Sequence, residues 1–99
     1  MDHKIQVNAI VYEEEGVWIA QGVEFDIIAH AKDVGSLSDA FQRAILENIL
    51  ITQHLGRAPL QGIGPAPEKF RSMFESARLE MRPISHQVNS DAEVALRVA

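Results

Sequence analysis

A change of hydrophobic period near residue 33 constrains the fold of this chain more than any other feature of its sequence. Before that point apolar and polar residues alternate, which predicts strands that each bury one face. After it, apolar residues recur at spacings of three and four, which predicts an amphipathic helix. The sequence therefore predicts an α+β fold in which strands come first and a helix follows.

The alternating part of the sequence falls into three segments. They are residues 4–13, 17–23 and 25–32. An acidic run closed by glycine, Glu13-Glu14-Glu15-Gly16, joins the first segment to the second, and Gly22 to Glu24 marks a second short turn. Because short turns join neighbouring antiparallel strands, we expect a three-stranded antiparallel meander.

A long helix is predicted to follow the meander and to pack on its sheet. Ser36 is the predicted N-cap, with Asp39 three residues later in a capping-box-like arrangement. Gly56 is expected to end the helix at the C′ position. The residues predicted to face the sheet are Leu37, Ala40, Phe41, Ala44, Ile45 and Ile49.

The second half of this helix is more apolar than one sheet requires. The additional apolar residues are Leu46, Leu50, Ile51 and Leu55. One interpretation is a helix end buried under the following loop, and the other is a contact between subunits. On the second interpretation Leu46, Leu50 and Ile51 are oligomer contacts, and the protein is a homodimer or a higher homo-oligomer.

The remaining residues complete a single domain over 1–99. Residues 56–67 hold three glycines and three prolines and are interpreted as a linker. A second, short helix is predicted to begin at Pro67 and to end by Pro83. A polar loop is expected at 85–91 and a C-terminal strand at 92–98, which gives the order β-β-β-α-α-β.

Composition excludes several classes of function. The chain has no cysteine, which rules out disulfides, thiolate zinc sites and cysteine nucleophiles, and favours a reducing, cytoplasmic location. The net charge is −5 and the nine Lys and Arg residues are scattered, so we expect no direct binding of nucleic acid. The N-terminus lacks an apolar signal core, and no apolar stretch is long enough to span a membrane. An acidic protein suits a basic partner.

The run from Ile5 to about Leu50 resembles the HicB-like antitoxin domain family. The shared pattern begins with an alternating first strand, the acidic turn Glu13-Glu14-Glu15-Gly16 and an aromatic-bearing second strand, Val17-Trp18-Ile19-Ala20. A third strand and a Ser-capped, alanine-rich helix follow, from Ser36 through Ile45. The match covers about half the chain, and its motifs are structural.

The resemblance implies a non-catalytic antitoxin that neutralises a small basic RNA-cleaving toxin by covering its RNA-binding surface. Two differences from the family pattern are present. Residues 23–28 lack the proline-glycine turn common between the second and third strands, and the segment after Pro83 is too short and too little basic for an operator-binding module. The resemblance therefore implies a stand-alone HicB-like domain. Its partner-binding candidates are Glu13, Glu14, Glu15, Trp18, Glu24 and Asp26.

The family fold has been likened to a partial ribonuclease H sheet, whose chemistry requires carboxylates that converge on metal ions. Of the five acidic candidates only Asp26 is predicted on a strand between apolar residues, and one carboxylate does not make a metal site. The four histidines, His3, His30, His54 and His86, have no metal-ligand spacing. No nucleophile elbow surrounds a serine, and the proline in Gly62-Ile63-Gly64-Pro65 is incompatible with a phosphate loop. We therefore expect no catalytic residues, no metal and no cofactor.

Two further alternatives stay open at the level of sequence. Trp18 is either an exposed anchor for a partner or a core residue packed under the helix. The protein as a whole is either the antitoxin-like module or, in a different class, a small-ligand-binding or structural homo-oligomer with the linker 56–67 covering a pocket.

Overall fold

The structure is a computed structural model that describes residues 4–81 and 92–99. Five strands form one sheet in the order β3-β2-β1-β5-β4, with β1 and β5 parallel and every other neighbouring pair antiparallel. The elements, in chain order, are β1 (Ile5–Glu14), β2 (Val17–Gly22), β3 (Ile28–Ala31), α1 (Val34–His54), α2 (Glu68–Ser76), β4 (Leu79–Met81) and β5 (Ala92–Val98).

The α+β class and the β1–β2–β3 meander are confirmed, but the predicted order β-β-β-α-α-β lacks one strand. The second helix ends at Ser76, within the predicted limit of Pro83, and β4 follows at Leu79, where no strand was predicted. Three residues are too few to establish a period, so β4 leaves no recognisable pattern in the sequence. The predicted polar loop at 85–91 lies outside the described residues.

Each face of the sheet carries one helix, because β1 alternates between two apolar sets. Val7, Ala9 and Val11 enter the main core cluster, which lies under α1, whereas Ile10 enters a second cluster under α2. The α1 residues in the main cluster are Leu37, Phe41, Ile45 and Ile49. The α2 residues in or against the second cluster are Phe70, Met73 and Phe74. Both apolar stripes read from the sequence are thus packed against the sheet.

The N-cap prediction for α1 is wrong, because the helix begins three residues earlier than expected. Asp33 is the N-cap: its Oδ1 accepts from the Ser36 backbone N–H at 2.8 Å. The Ser36 hydroxyl donates to the other carboxylate oxygen at 3.2 Å. Ser36 is therefore the partner of the cap and lies inside the helix, and Asp39 is an exposed residue of the second turn. Aspartate and serine are both good N-caps, so composition alone does not choose between them.

The C-terminal end of α1 is where the linker enters the core. Gly56 has φ +75°, as expected for the residue after the C-cap Leu55. The buried Thr52 hydroxyl accepts from the Leu60 backbone N–H at 3.0 Å and donates to the carbonyl of Ile49. Leu60 is buried in the main cluster with φ +64°, so its packing offsets a strained backbone. The linker is thus pinned beneath the helix end.

Candidate functional site

The acidic run predicted to bind a partner forms the tip of the β1–β2 hairpin. Glu13 and Glu14 end β1, and Glu15 and Gly16 form the turn, with Glu14 opposite Val17. Both turn residues have positive φ, +52° at Glu15 and +80° at Gly16. This is the backbone of a two-residue hairpin turn of the primed type, which matches the twist of the strands. All three glutamates are exposed.

The two faces of the hairpin tip differ in their surroundings. Glu13 is paired with Trp18, and the half-buried Trp18 packs against the main core cluster on the α1 face. Trp18 therefore packs against the core with one part of its side chain and leaves the other part exposed. On the other face Tyr12 stacks on Phe70, with ring centroids 6.3 Å apart. Burial of the ring, and secondarily the charge of Glu14, raises the pKa of Tyr12 above its ordinary value of 10.0.

Glu24 and Asp26 lie at the opposite end of β2 from the hairpin tip. The five residue steps from Val17 to Gly22 span about 17 Å at 3.4 Å per residue. The chain bends back after Gly22, and contacts of Glu24 with Asn8 and of Asp26 with Gln21 hold both acids near this far end of β2. The structure therefore separates the six predicted contact residues into two groups.

The Glu24 carboxylate is already engaged within the fold. One of its oxygens accepts from the Asn8 backbone N–H at 2.8 Å and the other from the Asn8 side-chain amide at 2.7 Å. Asp26 is exposed, and its Oδ1 accepts from the buried Gln21 side chain at 2.9 Å. Gln21 also donates to the Gly22 carbonyl, so these two contacts brace the bend that leads to β3. Both carboxylates therefore accept hydrogen bonds within the fold.

The carboxylates do not converge as ribonuclease H chemistry would require. Within residues 4–81 and 92–99, no three His, Cys, Asp or Glu side chains are grouped as metal ligands. His30 is exposed on the edge strand β3, and His54 is exposed at the end of α1. His3 and His86 lie outside the described residues.

The Gly/Pro linker lies along the segment that follows β2. The Asp26 N–H donates to the carbonyl of Gly64 at 2.8 Å, and the Ala66 N–H donates to the carbonyl of Val23 at 3.1 Å. Leu60 is buried in the main cluster, and Ile63 packs against it. The linker thus carries the chain from the α1 face of the sheet to the α2 face through specific contacts with the protein interior.

The apolar surplus of α1 remains at the surface. Leu50 and Ile51 are each 57% exposed and Leu55 is 58% exposed, whereas Leu46 is half-buried. The following loop inserts its own Leu60 beside Thr52 and Ile49, and it therefore leaves Leu50, Ile51 and Leu55 uncovered. We call Leu46, Leu50, Ile51 and Leu55 the helix patch. Three large aliphatic side chains exposed within two helical turns are typical of a binding surface.

Sequence reasoning missed three residues that position these surfaces. They are Asn8, which holds Glu24; Gln21, which holds Asp26; and Arg97, whose guanidinium lies 4.3 Å from the centroid of the Phe74 ring. Two of these contacts, Asn8 with Glu24 and Arg97 with Phe74, join residues distant in sequence, so no local pattern marks them. The strict alternation of β1 was the only available signal, because it places Asn8 on the α2 face beside Ile10.

Comparison with protein-family models, with curated proteins and with solved structures gave no match to this chain. Among the described residues, no helix combines the length and the apolarity needed to cross a membrane. The fold and its surfaces define a small α+β domain with two distinct exposed features, an acidic hairpin tip and the helix patch.

Proposed function

We propose that this protein is a non-catalytic protein–protein interaction module that binds a small basic partner through its acidic hairpin tip. The sequence resemblance to HicB-like antitoxins supplies the class of partner, a basic RNA-cleaving toxin neutralised by occlusion of its RNA-binding surface. We expect this module to act in the cytoplasm, because a chain without cysteine suits a reducing compartment.

The observation that carries the proposal is the backbone of Glu15. Its φ of +52° lies in the left-handed region, where a residue with a side chain is strained by about 1 kcal/mol and asparagine or glycine is preferred. A glutamate here adds a third negative charge beside Glu13 and Glu14 at a position where folding alone would favour another residue. Strain retained at an exposed position is typical of a residue kept for binding.

The hairpin presents these charges from a rigid support. Six residue pairs join β1 to β2, from Ala9–Gly22 to Glu14–Val17, and Trp18 ties the tip to the main core cluster. A charged surface that is already ordered loses little entropy when it binds. The proposed contact residues are therefore Glu13, Glu14, Glu15 and the exposed part of Trp18. Glu24, held by Asn8, contributes to folding instead.

The test is affinity purification from the native host at low salt, followed by mass spectrometry. The proposal expects a small basic protein in stoichiometric amount, lost as salt is raised because the contact is electrostatic. A variant with Glu13, Glu14 and Glu15 all changed to Gln should lose this protein. A matched variant with the exposed Asp39, Glu68 and Glu75 changed to the corresponding amides removes the same charge elsewhere and should retain it. Equal recovery by the two variants, or recovery of the chain alone, would refute the proposal.

Glu15 also gives a prediction in which stability and binding move in opposite directions. Glu15→Asn should stabilise the fold by about 0.5–1 kcal/mol, because asparagine adopts positive φ at lower cost. The same change should weaken binding of the basic partner, because it removes one of the three tip charges. Urea unfolding and the low-salt purification measure the two effects. Stabilisation with undiminished binding would show that the turn glutamate has no role in the interaction.

The helix patch favours a second candidate function, a structural homo-oligomer. Leu50, Ile51 and Leu55 together expose more apolar side chain than isolated surface residues do. The two candidates use separate surfaces, so one chain can have both properties.

A further inference from the structure

The exposed apolar residues of α1 occupy the side of the helix that faces away from the sheet. Leu50 comes nine residues after the buried Phe41, which places it about 180° around the helix at 3.6 residues per turn. Glu47 and His54 are seven residues apart and lie within about 20° of one line along the helix. Leu50 and Ile51 fall on either side of that line. The outward face of the last turns therefore has two aliphatic residues at its centre, with an acid before them and a histidine after them.

We infer that this face binds the same face of a second copy of the chain, with the two α1 helices antiparallel about a two-fold axis at Leu50 and Ile51. This inference deepens the homo-oligomer candidate above and rests on it. A two-fold axis brings identical surfaces together, so the two Leu50 and two Ile51 side chains meet at the centre. On either side of the axis, Glu47 lies level with His54 of the second copy. Each copy thus supplies the acceptor for its partner's imidazole.

The local charge of α1 favours a second copy of the chain as the partner that binds this face. The whole chain has a net charge of −5, so two copies repel each other on average. Residues 43–57 are an exception, because they contain Arg43 and Arg57 against the single acid Glu47, together with His54. Two copies can therefore approach here without the repulsion expected at the acidic hairpin tip. A strongly basic partner has no comparable charge attraction to this surface.

The size of the contact predicts a reversible dimer. A stable interface buries about 800 Å² on each partner, whereas this contact is built on a single helix face of each copy. We therefore expect monomer and dimer to exchange with concentration. Leu46 and Leu55 lie on opposite flanks of the helix face and extend the contact on both sides.

The first experiment measures the molar mass of the full chain by sedimentation equilibrium over a wide range of concentration. The unaltered protein should pass from monomer to dimer. Leu50→Lys should weaken dimerisation at least tenfold, because it places two ammonium groups at the axis in place of two buried side chains. Leu79→Lys is the matched control: Leu79 is 65% exposed on β4, the sheet edge opposite the β3 edge that α1 contacts, and its change should leave the dimer intact. Thermal unfolding by circular dichroism verifies that both variants are folded.

The second experiment tests the register by charge reversal. His54→Glu places a carboxylate level with Glu47 of the second copy and should weaken the dimer severalfold. The double change Glu47→Lys and His54→Glu should restore it, because opposite charges again lie level. Gln53→Glu adds the same charge to the same helical turn beside the uncharged Asn48 of the second copy, and should weaken the dimer less than His54→Glu does.

The outcomes separate this inference from the function it rests on. A monomer at every concentration would overturn both the helix pairing and the homo-oligomer candidate, and would leave the hairpin-tip proposal unaffected. A dimer insensitive to Leu50→Lys would overturn the helix pairing alone, because the oligomer would then use another surface. Suppose that Leu50→Lys abolishes the dimer, but that the double change Glu47→Lys and His54→Glu does not restore the dimer weakened by His54→Glu alone. That result would overturn the antiparallel register.

Discussion

At the scale of single residues, Gly22 is the position where the backbone tolerates no side chain. A Cβ atom built there would lie 2.4 Å from the carbonyl oxygen of Phe25, and backbone atoms cannot yield as a flexible side chain can. The tight approach exists because the Gly22 N–H donates to the carbonyl of Ile27 across the bend between β2 and β3. The bend sets the end of β2 and so the position of Asp26.

We therefore expect Gly22→Ala to destabilise the protein by about 1–3 kcal/mol, the usual cost of forcing atoms into a packed site. Gly64→Ala is the matched control, because nothing lies within 4 Å of a Cβ at that position and its carbonyl contact to Asp26 does not involve the side chain. Urea unfolding of both variants measures the difference. Equal stability of the two variants would mean that the bend relaxes without cost.

Tyr12 gives a residue-scale prediction about alkaline pH. Burial first, and the nearby Glu14 second, raise the pKa of Tyr12 in the folded state. The neutral phenol is therefore favoured by folding, so the contribution is constant below the ordinary pKa of 10.0 and is lost as pH rises above it. Tyr12→Phe should consequently lose less stability than the unaltered protein does between about pH 9 and 11. Lysine ionisation affects both proteins alike, and a stability difference that is independent of pH would contradict the prediction.

At the scale of elements, the start of α1 shows what a sequence pattern can and cannot establish. The stripe from Leu37 to Ile49 predicted the helix and its buried face correctly, because that periodicity is a local property. The cap was misplaced, since Asp33 and Ser36 are both suitable residues and only the backbone geometry distinguishes them. Three-residue β4 could not be predicted at all, because β5 rather than its own sequence determines it.

The capping assignment makes a direct prediction. Asp33→Ala should destabilise the protein by about 1 kcal/mol, because it removes the acceptor for the Ser36 N–H and leaves an unsatisfied donor at the helix start. Asp39→Ala should be neutral or slightly stabilising, because Asp39 is exposed within the helix and alanine is the better helix former. Thermal unfolding of the pair compares the two acids directly. A larger loss of stability with Asp39→Ala than with Asp33→Ala would instead support the capping box expected from the sequence.

The candidate surfaces were predictable from the sequence to different extents, because some depend on local sequence and others on contacts made by the fold. The acidic tip and the helix patch were identified from the sequence, because each is a contiguous run or a periodic excess on one element. Their separation from Glu24 and Asp26 was not, because it depends on the length of β2 and on the Asn8–Glu24 contact across the sheet. Charge composition therefore indicated an acidic surface but not that the acids lie at the two ends of β2.

At the scale of the whole molecule, the C-terminal strand is the element whose importance the sequence conceals most. A terminal strand is expected to fray, yet β5 lies between β1 and β4 and makes seven parallel residue pairs with β1. Its inward residues Ala92, Val94 and Leu96 are buried in the main cluster beside residues of β1 and α1. The two ends of the described chain are thus joined in the centre of the sheet, and the core cannot close until the last strand is in place.

This arrangement predicts that Leu96, three residues from the C-terminus, behaves as a core residue. Leu96→Ala should cost about 2–5 kcal/mol, because it opens a cavity between β5 and α1 that the packed sheet cannot fill. Leu79→Ala removes the same atoms from an exposed position on the neighbouring edge strand, and should change the free energy of unfolding by no more than about 0.5 kcal/mol. Urea unfolding compares the two. If both variants were as stable as the unaltered protein, β5 would be a frayed terminus, and the sheet would have to be stable as the β1–β2–β3 meander under α1 alone.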